Sequence, residues 1–149
     1  MDVKNKRVIV TGAASGIGKA LCEAFHQAEA KSVIAVDINL DGAQETADSV
    51  DGIAVKANVG NEKDIINLIE KADEHVGGID IFCSNAGIGG VPGFFEVEAS
   101  DWQNIWDVNV QSHIFAAKHV LPQMIERGEG YLVNTSSAAG LLTQLGAAG

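Results

Sequence analysis

The sequence predicts an α/β fold, a doubly wound parallel sheet covered by helices, and three observations carry that expectation. Short β-branched runs alternate with longer stretches of helical period from the first residues onward. The short runs are too apolar for a sheet with one wet face, so they belong to a parallel sheet covered on both sides. A glycine-rich turn, Gly12-Ala13-Ala14-Ser15-Gly16-Ile17-Gly18, joins the first strand pattern to the first helix pattern.

Arg7-Val8-Ile9-Val10-Thr11 is the first strand. From Ser15 to about Glu29 the period is helical, with Ile17, Leu21, Ala24 and Ala28 forming the expected apolar face. Ser32-Val33-Ile34-Ala35-Val36 reads as the second strand, followed by an Ala- and Glu-rich helix from about Leu40 to Val50. Ile53-Ala54-Val55 is the third strand. The next helix runs from Asn61 to about Val76, with Asn61 and Asp64 as its capping pattern and Ile65, Leu68, Ile69 and Ala72 as its stripe. Ile79-Asp80-Ile81-Phe82-Cys83 is the fourth strand. A glycine-rich connection, Gly87-Ile88-Gly89-Gly90-Val91-Pro92-Gly93, then leads to the longest helix, over 100–127. Ser100 and Gln103 are its expected opening signal, and Pro122 is expected to kink it near its end. Tyr131-Leu132-Val133-Asn134-Thr135 is the fifth strand.

With 149 residues, 46% of them hydrophobic, the chain is predicted to form a single domain, 1–149. A net charge of −10 argues against a nucleic-acid partner, because phosphate backbones are bound by cations. No apolar run approaches the roughly 18 residues of a membrane span, and the first residues lack the pattern of a secretory leader. A cytoplasmic protein with no membrane partner is expected. Cys22 and Cys83 lie inside apolar patterns without C-x-x-C spacing, which predicts buried, reduced thiols. The four histidines are scattered, so no metal site is expected.

The turn from Gly12 to Gly18 follows a strand and opens a helix, where free N–H groups and the positive end of the helix dipole favour a pyrophosphate. Its alternative is a tight turn with no ligand. Asp37 ends the second strand, where a carboxylate accepts from both adenosine ribose hydroxyls and repels a 2′-phosphate. Ile38 beside it is not basic, and neither Ala13 nor Ala14 supplies a cation. These residues favour NAD over its phosphorylated form, against the alternative of a solvated strand-end aspartate.

Four motifs then fall in one order along the chain: Thr11-Gly12 with Gly16 and Gly18, Asn85-Ala86-Gly87, Asn109 within Asp107-Val108-Asn109-Val110, and Asn134-Thr135-Ser136-Ser137-Ala138-Ala139-Gly140. From about Lys6 to Gly140 the sequence resembles the short-chain dehydrogenase/reductase family. The resemblance implies a Rossmann-type sheet of strand order 3-2-1-4-5 and NAD as cofactor. It implies a cofactor-binding set of Gly12, Ser15, Gly16, Ile17, Gly18, Asp37, Ile38, Asn58, Val59, Asn85, Ala86 and Gly87. It gives Ser137 the role of orienting the substrate oxygen. It also implies that Asn109, on a distorted stretch of helix, holds a catalytic water; an asparagine serving a neighbouring loop is the alternative. For Ser136 and Ser137 the alternative is a pair of turn residues.

Two departures stand out. Asn58-Val59 takes the place where the family commonly has an aspartate and an apolar residue beside the adenine. The family's Y-x-x-x-K motif is not found, and the later strands of the family fold are absent, so the domain is expected to be truncated at its C-terminus and inactive alone. Tyr131, the only tyrosine, begins the fifth strand on the order of 15–20 Å from Ser137 and is rejected as a substitute.

The implied activity is hydride transfer between nicotinamide and a small alcohol or ketone. The apolar character of Leu141, Leu142 and the 89–95 loop points to a hydrophobic one. The resemblance also implies a homo-oligomer through helix 100–127. Trp102 and Trp106 mark either that interface or ordinary core packing. Two other functions compete: a non-catalytic NAD(H)-binding module, and another α/β nucleotide binder such as a methyltransferase. The latter explains the glycine turn but not Asn85-Ala86-Gly87, Asn109 and Ser137 together.

Overall fold

The computed structural model describes residues 2–89 and 97–138. Its elements in order are β1 (Arg7–Thr11), α1 (Gly16–Gln27), β2 (Ser32–Asp37), α2 (Leu40–Ser49), β3 (Ile53–Lys56), α3 (Glu62–Val76) and β4 (Ile81–Ser84). They continue with α4 (Ala99–Trp106), a π-helical stretch (Asp107–Gln111), α5 (Ser112–Arg127) and β5 (Tyr131–Asn134). The five strands pair in parallel in the order β3-β2-β1-β4-β5, as predicted.

Side chains alternate across each strand, so the sheet feeds two cores. On one face Ile9, Ile34, Val36 and Phe82 pack against the α3 stripe and against Ala116, Val120 and Met124 of α5. Ile65, Leu68, Ile69 and Ala72 are all buried, as the helical period requires. On the other face Val8, Val10, Val33, Ala35 and Cys83 meet Cys22 of α1 and Ala47 of α2. Cys22 and Cys83 are free and buried, and burial pushes both thiols up to about 12, so neither is a nucleophile at neutral pH.

Some local expectations fail for identifiable reasons. The buried residues of α1 are Gly18 and Cys22, while Ile17 is 65% exposed and Ala24 and Ala28 face outward. The helix is rotated because glycine, not isoleucine, permits its close approach to the turn at Gly12. In α3, Asn61 caps by accepting from Lys63 N–H at 2.9 Å, but Asp64 accepts from Asn58 N–H instead of closing a box with Asn61. The long helix opens two residues earlier than Ser100-x-x-Gln103 predicts: the Glu98 N–H donates to Asp101 Oδ2 at 3.0 Å. Pro122 lies within α5, and a π-helical stretch at Asp107–Gln111 interrupts the long helix ahead of it.

The N-terminal ends of the strands are tied by charge. Asp80 is buried and accepts from the Arg7 backbone N–H (2.9 Å), Arg7 Nε (2.8 Å) and Arg7 Nη2 (2.5 Å). Arg127 adds a further cation at 3.7 Å. These bonds hold the Asp80 carboxyl below the usual carboxylate range, the Arg7 side-chain hydrogen bonds being the main cause. At the start of α3, Glu62 accepts from Lys118 and His119 of α5, each at 2.8 Å, which fixes the two helices that cover one face.

Candidate cofactor cleft

The functional side of the molecule is the C-terminal edge of the parallel strands, where the loops after β1, β2, β3 and β4 converge. After β1 the chain turns at Gly12 (φ +70°) and enters α1 at Gly16 (φ +54°). A Cβ on Gly18 would lie 2.0 Å from the Gly12 carbonyl oxygen, so only glycine allows α1 to sit this close to the turn. Nothing lies within 4 Å of the Cβ position at Gly16, so the turn is packed on its inner side and open on its outer side.

The start of α1 is also electrostatically vacant. Ser15 makes no side-chain cap and the first turn has no acidic residue, whereas α2, α3 and α4 each carry at least one there. An uncapped, positive helix end facing open space fits an anionic group. Glycines that leave no room for side chains, with open space before the helix end, are the structural basis on which these residues fit a pyrophosphate.

Thr11 organises the neighbouring loop. Its buried hydroxyl donates to the Cys83 carbonyl (3.2 Å) and accepts from the N–H groups of Asn85 (2.9 Å) and Ala86 (3.1 Å). The Asn85 Nδ2 donates back to the Thr11 carbonyl at 3.0 Å, and Asn85 Oδ1 accepts from Thr135 Oγ1 at 2.9 Å. One asparagine therefore joins the ends of β1, β4 and β5. Removing the hydroxyl with Thr11→Val would leave two loop N–H groups without their acceptor. The expected cost is about 1–3 kcal/mol in urea unfolding, with unchanged stability contradicting the assigned hub.

At the end of β2, the Asp37 carboxylate accepts from the N–H of Ala14 (3.0 Å) and of Asn39 (2.9 Å), one on each oxygen. It is thereby oriented by backbone and left half-buried at the rim. After β3, Asn58 Oδ1 accepts from Gly60 N–H at 3.1 Å, and Val59 is buried. A cleft of about 300 Å³ brings together Gly12, Asp37, Ile38, Asn58, Val59, Ala86 and Gly87 from the predicted set. A second cleft of about 430 Å³ shares Ile38 and Asn58 with it and runs beside Lys56 and Lys71.

Not every predicted residue lines the cleft. Gly18 and Asn85 shape it from behind, while Ser15, Gly16 and Ile17 face open space at the start of α1. Ser136 and Ser137 are exposed beyond the end of β5. Asn109 lies in the π-helical stretch and spends both ends of its amide on one residue: Oδ1 accepts from Ile88 N–H and Nδ2 donates to the Ile88 carbonyl, each at 2.9 Å. That contact matches the alternative of an asparagine serving a neighbouring loop. Trp102 and Trp106 are both exposed, so they are not core residues of the chain. Residues 90–96 and 139–149, which include Leu141, Leu142, Gly140 and most of the 89–95 loop, lie outside the described residues.

Sequence reasoning passed over Asn104 and Val108, which form the far wall of the cleft, and Thr135, which steadies Asn85. Neither wall residue carries a local signal; the folding of the long helix over the strand ends places them. Among the described residues no group of three or more His, Cys, Asp or Glu is arranged to hold a metal ion, and no helix is long and apolar enough to cross a membrane.

The sequence matches the model of the short chain dehydrogenase family over residues 6–148. The chain belongs to the short-chain dehydrogenase family. Among its curated relatives are glucose 1-dehydrogenase 2 of Bacillus subtilis (strain 168), 34% identical over 143 residues, and cyclohexanol dehydrogenase of Acinetobacter sp. (strain SE19), 34% identical over 144 residues. Those alignments cover 91% and 93% of this chain but 55% and 57% of the relatives, so the chain spans about half the length of the curated relatives it matches. The fold matches a crystal structure of a short chain dehydrogenase/reductase from Burkholderia phymatum in complex with NAD, at a TM-score of 0.93 and 27% identity. That match covers 99% of this chain and 54% of the other. Short-chain dehydrogenases are oxidoreductases, and the Rossmann-type sheet order of this chain is theirs.

Proposed function

We propose that residues 1–149 form one dinucleotide-binding domain, the cofactor-binding part of an NAD(H)-dependent oxidoreductase acting on a small alcohol or ketone. The observation that carries the cofactor choice is Asp37, whose oxygens are each held by one backbone N–H at the rim. The remaining lone pairs are available to the two hydroxyls of an adenosine ribose, and the negative charge repels a 2′-phosphate. The NAD complex of the structural neighbour supports the same nucleotide.

In this reading Gly12, Gly16 and Gly18, with Ser15 and Ile17 alongside, cradle the pyrophosphate at the α1 N-terminus. Ile38, Asn58 and Val59 enclose the base, and Asn85, Ala86 and Gly87 flank the path towards the nicotinamide. When bound, the nicotinamide supplies the hydride chemistry. Ser137 orients the substrate oxygen by a hydrogen bond. Asn109 is a positioning residue: by holding both backbone groups of Ile88 it fixes the wall that follows Asn85-Ala86-Gly87. The acidic composition supports a cytoplasmic protein with small-molecule rather than nucleic-acid or membrane partners. Exposed Trp102, Trp106, Ile114 and Ile125 along 100–127 support a homo-oligomer joined through that helix.

The test is nucleotide preference. Calorimetric titration is expected to show NADH binding at least about tenfold more tightly than NADPH, and Asp37→Ala is expected to lose most of that ratio by weakening NADH. Equal affinity of the unaltered chain for both nucleotides would contradict the assignment to NAD.

One observation favours a second reading, a module that binds NAD(H) and turns nothing over. Tyr131, the only tyrosine, pairs with Ile81 at the opposite end of the sheet from Ser137. The 149 residues alone are therefore expected to reduce no NAD with a panel of secondary alcohols; clear turnover would overturn that.

A further inference from the structure

Among the described residues the sheet ends at β3, and a trough lies between that strand and α3. It consists of the cleft of about 430 Å³ already described and a third, of about 330 Å³, which shares Val55, Lys56 and Lys71 with it. Both volumes fall in the range of small-molecule sites. Asp64, Asn67, Leu68, Lys71, Ala72 and His75 recur every three or four residues, so one face of α3 forms the length of its wall. Val55 and Leu68 line the trough with apolar surface, as do Ile38 and Leu40, which are 62% and 42% exposed.

The charge of the trough runs against that of the chain. The protein carries −10, yet the residues common to the two clefts include two lysines, so both border the place where the clefts meet. Among the described residues no carboxylate lies within ion-pair distance of Lys56 or Lys71, whereas Lys4, Lys6, Arg7, Lys118 and Arg127 each have one. The one acid that lines the trough among those residues is Asp64, which accepts the Asn58 backbone N–H at 2.9 Å. It stands two turns of α3, about 10 Å, from Lys71. A single surface lysine is satisfied by water. Two at one junction, with apolar surface to either side, match a ligand that has an anionic head and an apolar body.

We propose that this trough binds an organic anion, its carboxylate, phosphate or sulfonate held between Lys56 and Lys71 and its apolar body lying on Val55, Leu68 and Ile38. Ile38 and Asn58 also line the dinucleotide cleft, so the anion lies beside the base end of the cofactor and both are bound at once. That adjacency, though not the site itself, rests on the dinucleotide reading above.

The experiment uses the full chain and two fluorescent probes with the same aromatic body: anilinonaphthalene sulfonate, which is anionic, and phenylnaphthylamine, which is not. The unaltered chain is expected to bind the sulfonate at least about fivefold more tightly than the neutral probe. Lys56→Gln/Lys71→Gln is expected to lose most of that ratio by weakening the sulfonate alone. Both lysines are exposed, so the double variant should keep the circular dichroism and urea midpoint of the unaltered chain. Lys4→Gln/Lys31→Gln removes the same charge at the opposite end of the strands and should leave both affinities within about twofold. Saturating NAD⁺ should leave the affinity for the sulfonate within about threefold. No saturable sulfonate binding, equal affinity for the two probes, or an unchanged ratio in Lys56→Gln/Lys71→Gln would overturn the proposal. So would displacement of the sulfonate by NAD⁺, which would put the probe in the dinucleotide cleft. Absence of NAD⁺ binding in calorimetry would instead remove the dinucleotide reading, and the two probes would still decide the trough.

Discussion

Replacing Asp80 with alanine is expected to lower stability by about 3–5 kcal/mol, because it leaves the Arg7 guanidinium without its buried partner. Asp80 is 4% exposed and receives three bonds from Arg7, one of them from the backbone that starts β1. Arg7 also donates to the Gly77 carbonyl, and Arg127 donates to the Ile79 carbonyl. The variant therefore loosens the entry to β1, the entry to β4 and the end of α5 together. For a chain of this length the melting temperature should fall by on the order of 10 °C. The sign of the pH dependence follows from the lowered Asp80 pKa. Its contribution is fully present above the ordinary carboxylate value and is lost as pH falls through the lower folded value. Asp80→Asn should accordingly show a shallower acid limb than the unaltered protein below about pH 4 in urea unfolding. The nucleotide cleft lies at the other end of the strands, roughly 15 Å away, so the folded variant should keep its NADH affinity. A stability loss under about 1 kcal/mol would contradict the role given to this pair.

Gly18→Ala is expected to damage the cleft directly. The added methyl would meet the Gly12 carbonyl oxygen at 2.0 Å and its carbon at 2.6 Å, and both are backbone atoms that yield only if the turn opens. The cost in stability should be about 1–3 kcal/mol, as for other overpacked contacts. Because the shifted turn also moves the N–H groups at the start of α1, NADH affinity should drop at least about tenfold. Gly16→Ala is the matched control for strain alone: it has no steric neighbour within 4 Å, but its φ of +54° is costly for alanine. Its stability penalty should be near 1 kcal/mol. NADH binding by Gly18→Ala equal to that of the unaltered chain would show that the close packing of α1 does not shape the site.

The strand positions and the burial of the sheet on both faces were legible because they rest on period and apolarity, which local sequence carries, whereas the sheet order followed from the family resemblance. The α3 stripe is the clearest case. Where residues act through distant partners, sequence carried less. Isoleucine marks an apolar face by composition, yet Gly18 sets the rotation of α1 because contact distance, not hydrophobicity, limits that helix. Ser100-x-x-Gln103 has the spacing of a capping signal, but Asp101 reaches the Glu98 N–H and starts the helix earlier. The distortion around Asn109 was expected from the family resemblance and not from any period in the chain. In the structure it coincides with bonds to Ile88, 21 residues away, and with the Ser112 hydroxyl donating to the Val108 carbonyl at 2.6 Å. Asn85 was identified by its motif, while its partner Thr135 became visible only through the pairing of β4 with β5.

The most direct measurement is the binding of NADH to the 149-residue chain by calorimetry, with NADPH as competitor. Saturable binding of one NADH per chain, resisted by Gly18→Ala and displaced poorly by NADPH, is the expected result. No heat of binding at about millimolar NADH, a concentration above which only very weak sites remain unfilled, would contradict the assignment of this cleft to a nicotinamide dinucleotide.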